Sequence, residues 1–205
     1  MRKGTPVTYA RRANTVEFID YNEFLKSLKP LGVVSEASGD AVRFYLDDAN
    51  APGLEPRVIV FGAADADSDP KDARVIEKSS DALPALMDSI IHKEHLTDVA
   101  LCPAHQWGPI VDLIAFELAT DEHWNDIDAE AALHVRTRNP LVLDSPDLRL
   151  VEKIANSVLE GGEPGSHDFS VMAMATPLLM TLEQRGRLVV WCGNPAMADV
   201  VASLA

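Results

Sequence analysis

Apolar side chains recur along this chain at two spacings, and the spacing separates helices from strands. In Ala82 to Glu94, Leu83, Leu86, Met87, Ile90 and Ile91 fall on one face of a helix. Leu148, Val151, Ile154, Ala155, Val158 and Leu159 do the same in a helix closed by Gly161-Gly162. Met197, Val200, Val201 and Leu204 form the apolar side of a last helix. Between these stretches lie short apolar runs: Arg57 to Phe61, Val99 to Cys102, Leu141 to Leu143, Phe169 to Ala175 and Leu188 to Cys192. Their length and their Gly, Pro and Asp borders mark buried strands. Nearer the start, Val16 to Ile19 reads as a strand before a helix, Tyr21 to Leu28, capped by Asp20. Val33 to Ala37 and Ala41 to Leu46 flank Ser38-Gly39-Asp40 and predict a hairpin.

Proline adds direction to this pattern. Gly108-Pro109, Ser145-Pro146, Thr176-Pro177 and Asn194-Pro195 each follow an apolar run. Proline suits the first helical position and disfavours helix in the residue before it. These dipeptides therefore predict strand-to-helix junctions. Pro177 to Arg185, closed by Gly186, stays open between a short helix and the second strand of a hairpin. Strands alternating with helices predict an α/β fold, with mixed α+β as the alternative. The expected sheet is largely parallel, with helices on both faces plus the N-terminal antiparallel hairpin. Residues 1–15 form a basic arm and 16–205 a single α/β domain, with 16–79 as a candidate N-terminal subdomain.

Charge narrows the partners. Eighteen Lys and Arg stand against 32 Asp and Glu, for a net charge of −14. A body so acidic predicts no nucleic-acid surface and no anionic membrane surface, both of which need clustered positive charge. The charge is uneven. Arg2, Lys3, Arg11 and Arg12 precede the first acid, Glu17, and no Lys or Arg occurs from Glu94 to Val135. No apolar run reaches the roughly 20 residues of a membrane span. Two cysteines are too few for a disulfide framework, so a cytoplasmic protein with reduced thiols is expected.

Candidate chemistry collects at strand ends: Asp65, Cys102, His105, Asp144, Ser145, Thr176, Cys192 and Asn194. Cys102, His105 and Asp144 are the catalytic candidates, with Cys102 and His105 as a thiolate–imidazole pair. Arg136, Arg138, Thr176 and Asn194 are the ligand-binding candidates. His134, Arg136 and Arg138 alternate on an expected strand, Leu133 to Thr137, where the arginines would clamp a carboxylate or phosphate. His92, His95, Cys102 and His105 present zinc-ligating side chains, though at a spacing that matches no known zinc motif. Asp65, Asp67 and Asp69 alternate like a calcium loop, but Pro70 and Ile76 stand where Gly and Glu belong, so a solvated acidic loop is expected. Neither GxGxxG nor GxxxxGK[ST] occurs, and no cofactor is implied.

Val16-Glu17-Phe18-Ile19-Asp20-Tyr21-Asn22 resembles the opening strand and Asp/Asn motif of NYN/PIN-like nucleases. Residues 177–193 resemble the last βα unit of that family. Where its acidic motif belongs, before Pro177, this chain has Met172-Ala173-Met174-Ala175-Thr176. The resemblance implies a degenerate nuclease fold without its metal-binding acids. With no complete catalytic set, the expected function is a non-enzymatic binding or regulatory module. It would be a homo-oligomer or bind a protein partner, with the apolar tail Met197 to Ala205 as a contact. A small-molecule hydrolase with its site at the strand ends is the alternative, and a zinc protein a third reading.

Overall fold

The computed structural model describes residues 17–65, 69–119, 130–161 and 167–205. The basic arm and the acidic stretch 120–129 lie outside the described residues. Ten strands and five full helices lie among the described residues. The strands are β1 (Glu17–Phe18), β2 (Val33–Ser38), β3 (Ala41–Leu46), β4 (Arg57–Phe61), β5 (Arg74–Ile76), β6 (Asp98–Pro103), β7 (Leu141–Asp144), β8 (Phe169–Ala173), β9 (Leu178–Glu183) and β10 (Arg187–Cys192). The helices are α1 (Tyr21–Leu28), α2 (Leu83–Lys93), α3 (Trp107–Leu118), α4 (Arg149–Glu160) and α5 (Pro195–Ala202).

Eight strands form one sheet in the order β1-β7-β6-β8-β9-β10-β4-β5, and β2 and β3 pair separately as the expected hairpin. The fold is mixed α/β, but the sheet is not largely parallel. Among the described strands only β4 and β5 pair in parallel; every other ladder is antiparallel. The reason lies in the crossovers. α2 joins β5 to β6, and α4 joins β7 to β8, and each helix does link strands that run the same way, as a helical crossover should. The linked strands are not neighbours. β6 lies between β7 and β8 and runs opposite to both, while β8, β9, β10 and β4 lie between β6 and β5 and alternate in direction up to β4, which runs parallel to β5.

The stretch left open at Pro177 to Arg185 is strand β9, so residues 177–193 form a β-hairpin rather than the βα unit of the nuclease resemblance. Gly186 closes its turn at φ 84°, a conformation that favours glycine. Leu178, Met180 and Leu182 face one way and Leu179 the other, and all four are buried, so the alternation is hidden by apolar residues on both faces.

One face of the sheet packs Val99, Leu101, Leu143, Phe169, Val171, Met180 and Val190 under α2, α3, α4 and α5. The opposite face packs Ala100, Cys102, Met172 and Leu179 under α1 and the β2–β3 hairpin, through Phe24, Leu28, Val42, Phe44 and Leu46. Asp20 caps α1, its carboxylate accepting from the Asn22 and Glu23 amides at 2.9 and 3.1 Å. Asn194 caps α5, accepting from Met197 N at 2.9 Å, with Pro195 in the first turn. The C-terminal tail is part of the core: Ala198 and Val201 are buried, with Met197 and Leu204 packed beside them. Met197, Val200 and Leu204 keep part of their surface exposed. No helix among the described residues is long and apolar enough to cross a membrane.

Candidate functional site

The sheet sorts the sequence candidates to its two ends. The first end carries the start of β6 and the close of β7, where Asp98 lies opposite Asp144. Thr176 and Asn194 join them, since Pro177 packs where a side chain on Gly193 would be. The second end carries the close of β6, with Cys102 and His105. Cys102 is four residues from Asp98, about 13 Å along the strand. Asp144 is thus separated from Cys102 and His105 by the length of β6, and the three do not form a catalytic set. The zinc set divides likewise. His92 and His95 follow α2 to the first end, and His92 Nδ1 lies 3.2 Å from Asp88 Oδ2. Among the described residues no three His, Cys, Asp or Glu side chains are grouped to hold a metal ion.

The arginine clamp is also rearranged. Residues 130–134 are helical and 135–136 form a turn, so no strand presents His134, Arg136 and Arg138 together. The backbone explains it. Trp107 N and Gly108 N, free donors at the start of α3, donate to the carbonyls of Thr137 and Val135 at 3.3 and 2.8 Å. The segment is a cap for α3. Arg138 Nη2 donates to the Asp40 carbonyl in the hairpin turn, while Arg136 is exposed. The Cys102 thiol donates to the Arg138 carbonyl at 3.6 Å. Burial pushes that thiol well above the usual range despite the Arg138 charge. Cys192, on the helical face, is pushed up to about 12 by burial, with Glu94 adding to it. Both thiols are thereby kept in the form that does not attack.

What the second end does assemble is a row of charges that the sequence did not single out together. Asp168, just before β8, accepts from Gln184 N at 2.8 Å, and Glu183 lies opposite Arg187 in the β9–β10 ladder. Arg187 then crosses Gly62, where an added Cβ would sit 3.2 Å from Arg187 Cγ and 2.7 Å from the Gly186 carbonyl. That near contact, with φ 122°, is why only glycine fits there. Beyond Gly62, Arg187 pairs with Asp69 and stands 3.6 Å from both Asp65 Oδ2 and Glu183 Oε2. Arg185 reaches the same two oxygens at 2.7 Å each. The Arg187 side chain is only 4% exposed, that of Arg185 42%. Burial holds the Asp168 carboxyl above its ordinary pKa, and Glu183 adds to this against the Gln184 amide, Arg185 and His105. Asp65 and Asp69 are therefore ion-paired with two arginines rather than simply solvated, and Asp67 lies outside the described residues.

Comparison with family models, with curated proteins and with solved structures finds no match. Function has to be read from the residues.

Next to the charge row lies a cleft of about 410 Å³, lined by Gly62, Ala63, Glu77, Lys78 and Ser79. It sits beyond the carboxyl ends of β4 and β5, the one parallel pair among the described strands. That is where ligands collect in α/β sheets. Gly62 belongs to both cleft and charge row. The signal for this end was present in Arg185-Gly186-Arg187. An arginine opening a strand as apolar as Leu188 to Cys192 must bring acids with it. The acids were hidden by distance, since Asp69 is 118 residues away.

Proposed function

We propose that this chain is a binding module that takes a small charged ligand in the cleft between Gly62–Ala63 and Glu77–Ser79, and that it does not work through Cys102, His105 and Asp144. The observation that carries the reading is a surface cleft whose Gly62 lies against the Arg187 side chain, which pairs with Asp65, Asp69 and Glu183. Its volume lies within the range of small-molecule sites. Burial points the same way. Tyr21, Cys102, Asp168 and Cys192 are all raised, with burial as the main cause. Each is held toward its protonated form, which suits structural groups better than activated nucleophiles.

The test is a ligand screen by two-dimensional NMR on the full chain, using dicarboxylates, phosphate esters and diamines. Saturable shifts at Gly62, Ala63, Lys78 and Ser79, abolished by Ala63→Trp, are expected. Binding that maps instead to Thr176 and Asn194, or that survives Ala63→Trp, would overturn the proposal. So would an activity lost on Cys102→Ala or His105→Ala.

A further inference from the structure

We propose that Arg185 and Arg187 form an oxyanion-binding pair whose place for a ligand is taken, in the chain alone, by the carboxylates of Asp65 and Asp69. The inference rests on the cleft being a ligand site and names the chemistry it admits: the carboxylate or phosphoryl group of a small molecule.

Three observations carry it. The two guanidinium groups converge. Asp65 Oδ2 is 2.7 Å from Arg185 Nη1 and 3.6 Å from Arg187 Nη1, and Glu183 Oε2 is held at the same two distances by Arg185 Nε and Arg187 Nη1. Two guanidinium groups meeting on one oxygen is how arginines grip carboxylates and phosphates. The acids also differ in origin. Glu183 is part of β9 and stays with the hairpin. Asp65 and Asp69 follow β4 and approach from the other side of Gly62, so they are the partners that can be exchanged. Finally, Arg187 is almost fully buried, and a buried guanidinium deprived of its anion is strongly destabilised. Glu183 stays beside Arg187, and an anion arriving at the pair favours release of Asp65 and Asp69, so ligand binding and that release are linked. Gly62, over which Arg187 passes, also lines the cleft, so a ligand there lies beside the pair.

Charge sets the direction of the test. Asp65, Asp69 and Glu183 already occupy the two guanidinium groups, so an incoming anion replaces a carboxylate rather than adding to it. The unaltered chain therefore binds anions weakly. Inorganic phosphate and succinate are titrated by calorimetry into the wild-type chain, Asp65→Asn/Asp69→Asn, and the same variant carrying Arg185→Gln. The double variant is expected to bind one of the two about tenfold more tightly than wild type, with Arg185→Gln reversing the gain. The tighter of the two identifies a phosphoryl or a carboxylate ligand. If a folded double variant binds neither anion, or no better than wild type, the aspartates are structural counterions and the proposal fails. Should the double variant unfold, Asp65→Asn alone, at a one-third exposed side chain, must show a smaller gain of the same sign. No gain there overturns the proposal as well. Shifts at Ala63 and Ser79 with cationic ligands, and none with either anion, would leave the cleft reading standing while removing this one.

Discussion

Acidic and hydroxyl side chains crowd both ends of the sheet, yet the two ends use them differently. At the first end, Thr97 Oγ1 donates to Asp98 Oδ2 at 3.0 Å, Ser145 Oγ donates to the Thr97 carbonyl at 3.3 Å, and Asn194 caps α5. These three contacts each close a turn or a helix within a few residues or across one strand pair. At the second end, Asp65, Asp69, Glu183, Arg185 and Arg187 join β4, β9 and β10 across more than a hundred residues of chain. The difference is the buried guanidinium. A solvated carboxylate can be lost without loss to the fold, whereas a buried arginine makes its partners obligatory. A polar strand end is thus a poor guide to a site unless one of its charges is held out of water.

The sharpest way to break that contrast is to remove the buried charge. Arg187→Leu removes the buried guanidinium that Asp69 and Glu183 share, while Glu183 keeps Arg185, and should destabilise by about 3 kcal/mol or more. Asp144→Asn at the other end should stay within about 0.5 kcal/mol. Urea unfolding of the two variants reads both, and equal losses would erase the distinction. A smaller effect comes from pH. Asp168 is raised in the folded chain, so it binds its proton more tightly folded than unfolded. Its contribution is therefore fully present below the unfolded pKa and is lost as pH rises through the folded one. Asp168→Asn keeps an oxygen for the Gln184 amide but removes this term. Between about pH 7 and pH 4 the variant should lose stability on acidification more steeply than wild type. Parallel curves would show that burial does not raise the Asp168 carboxyl. The mildest test compares the ends with the interior. Cys102 and Cys192, both buried and both raised, should resist a thiol reagent at pH 8 and react only once the chain is unfolded. Fast reaction of the folded chain would place a thiol at the surface.

Much of the local structure was legible because its causes are local. The Asp20 cap, the Gly39 turn of the hairpin, the stripe Leu83 to Ile91 and the Asn194-Pro195 helix start each depend on residues within a few positions of one another. The order of strands was not legible. Spacing shows that α2 and α4 must return the chain to strands of the same direction, but not that other strands fill the gaps. The candidate site suffered for the same reason. Cys102 and His105 are close in sequence and were easily paired, while Arg187 and Asp69 meet only because β10 lies against β4.

That β4–β10 ladder also orders events in time. β4 emerges from the ribosome well before the neighbour that covers its inner edge. Until Arg187 to Cys192 is synthesised, Ile59 and Phe61 belong to a strand with one unfilled side. Sheet closure is therefore a non-local step. A chain stopped short of β10 exposes an apolar edge of the kind that seeds aggregation, so β4 depends on protection until its partner is made.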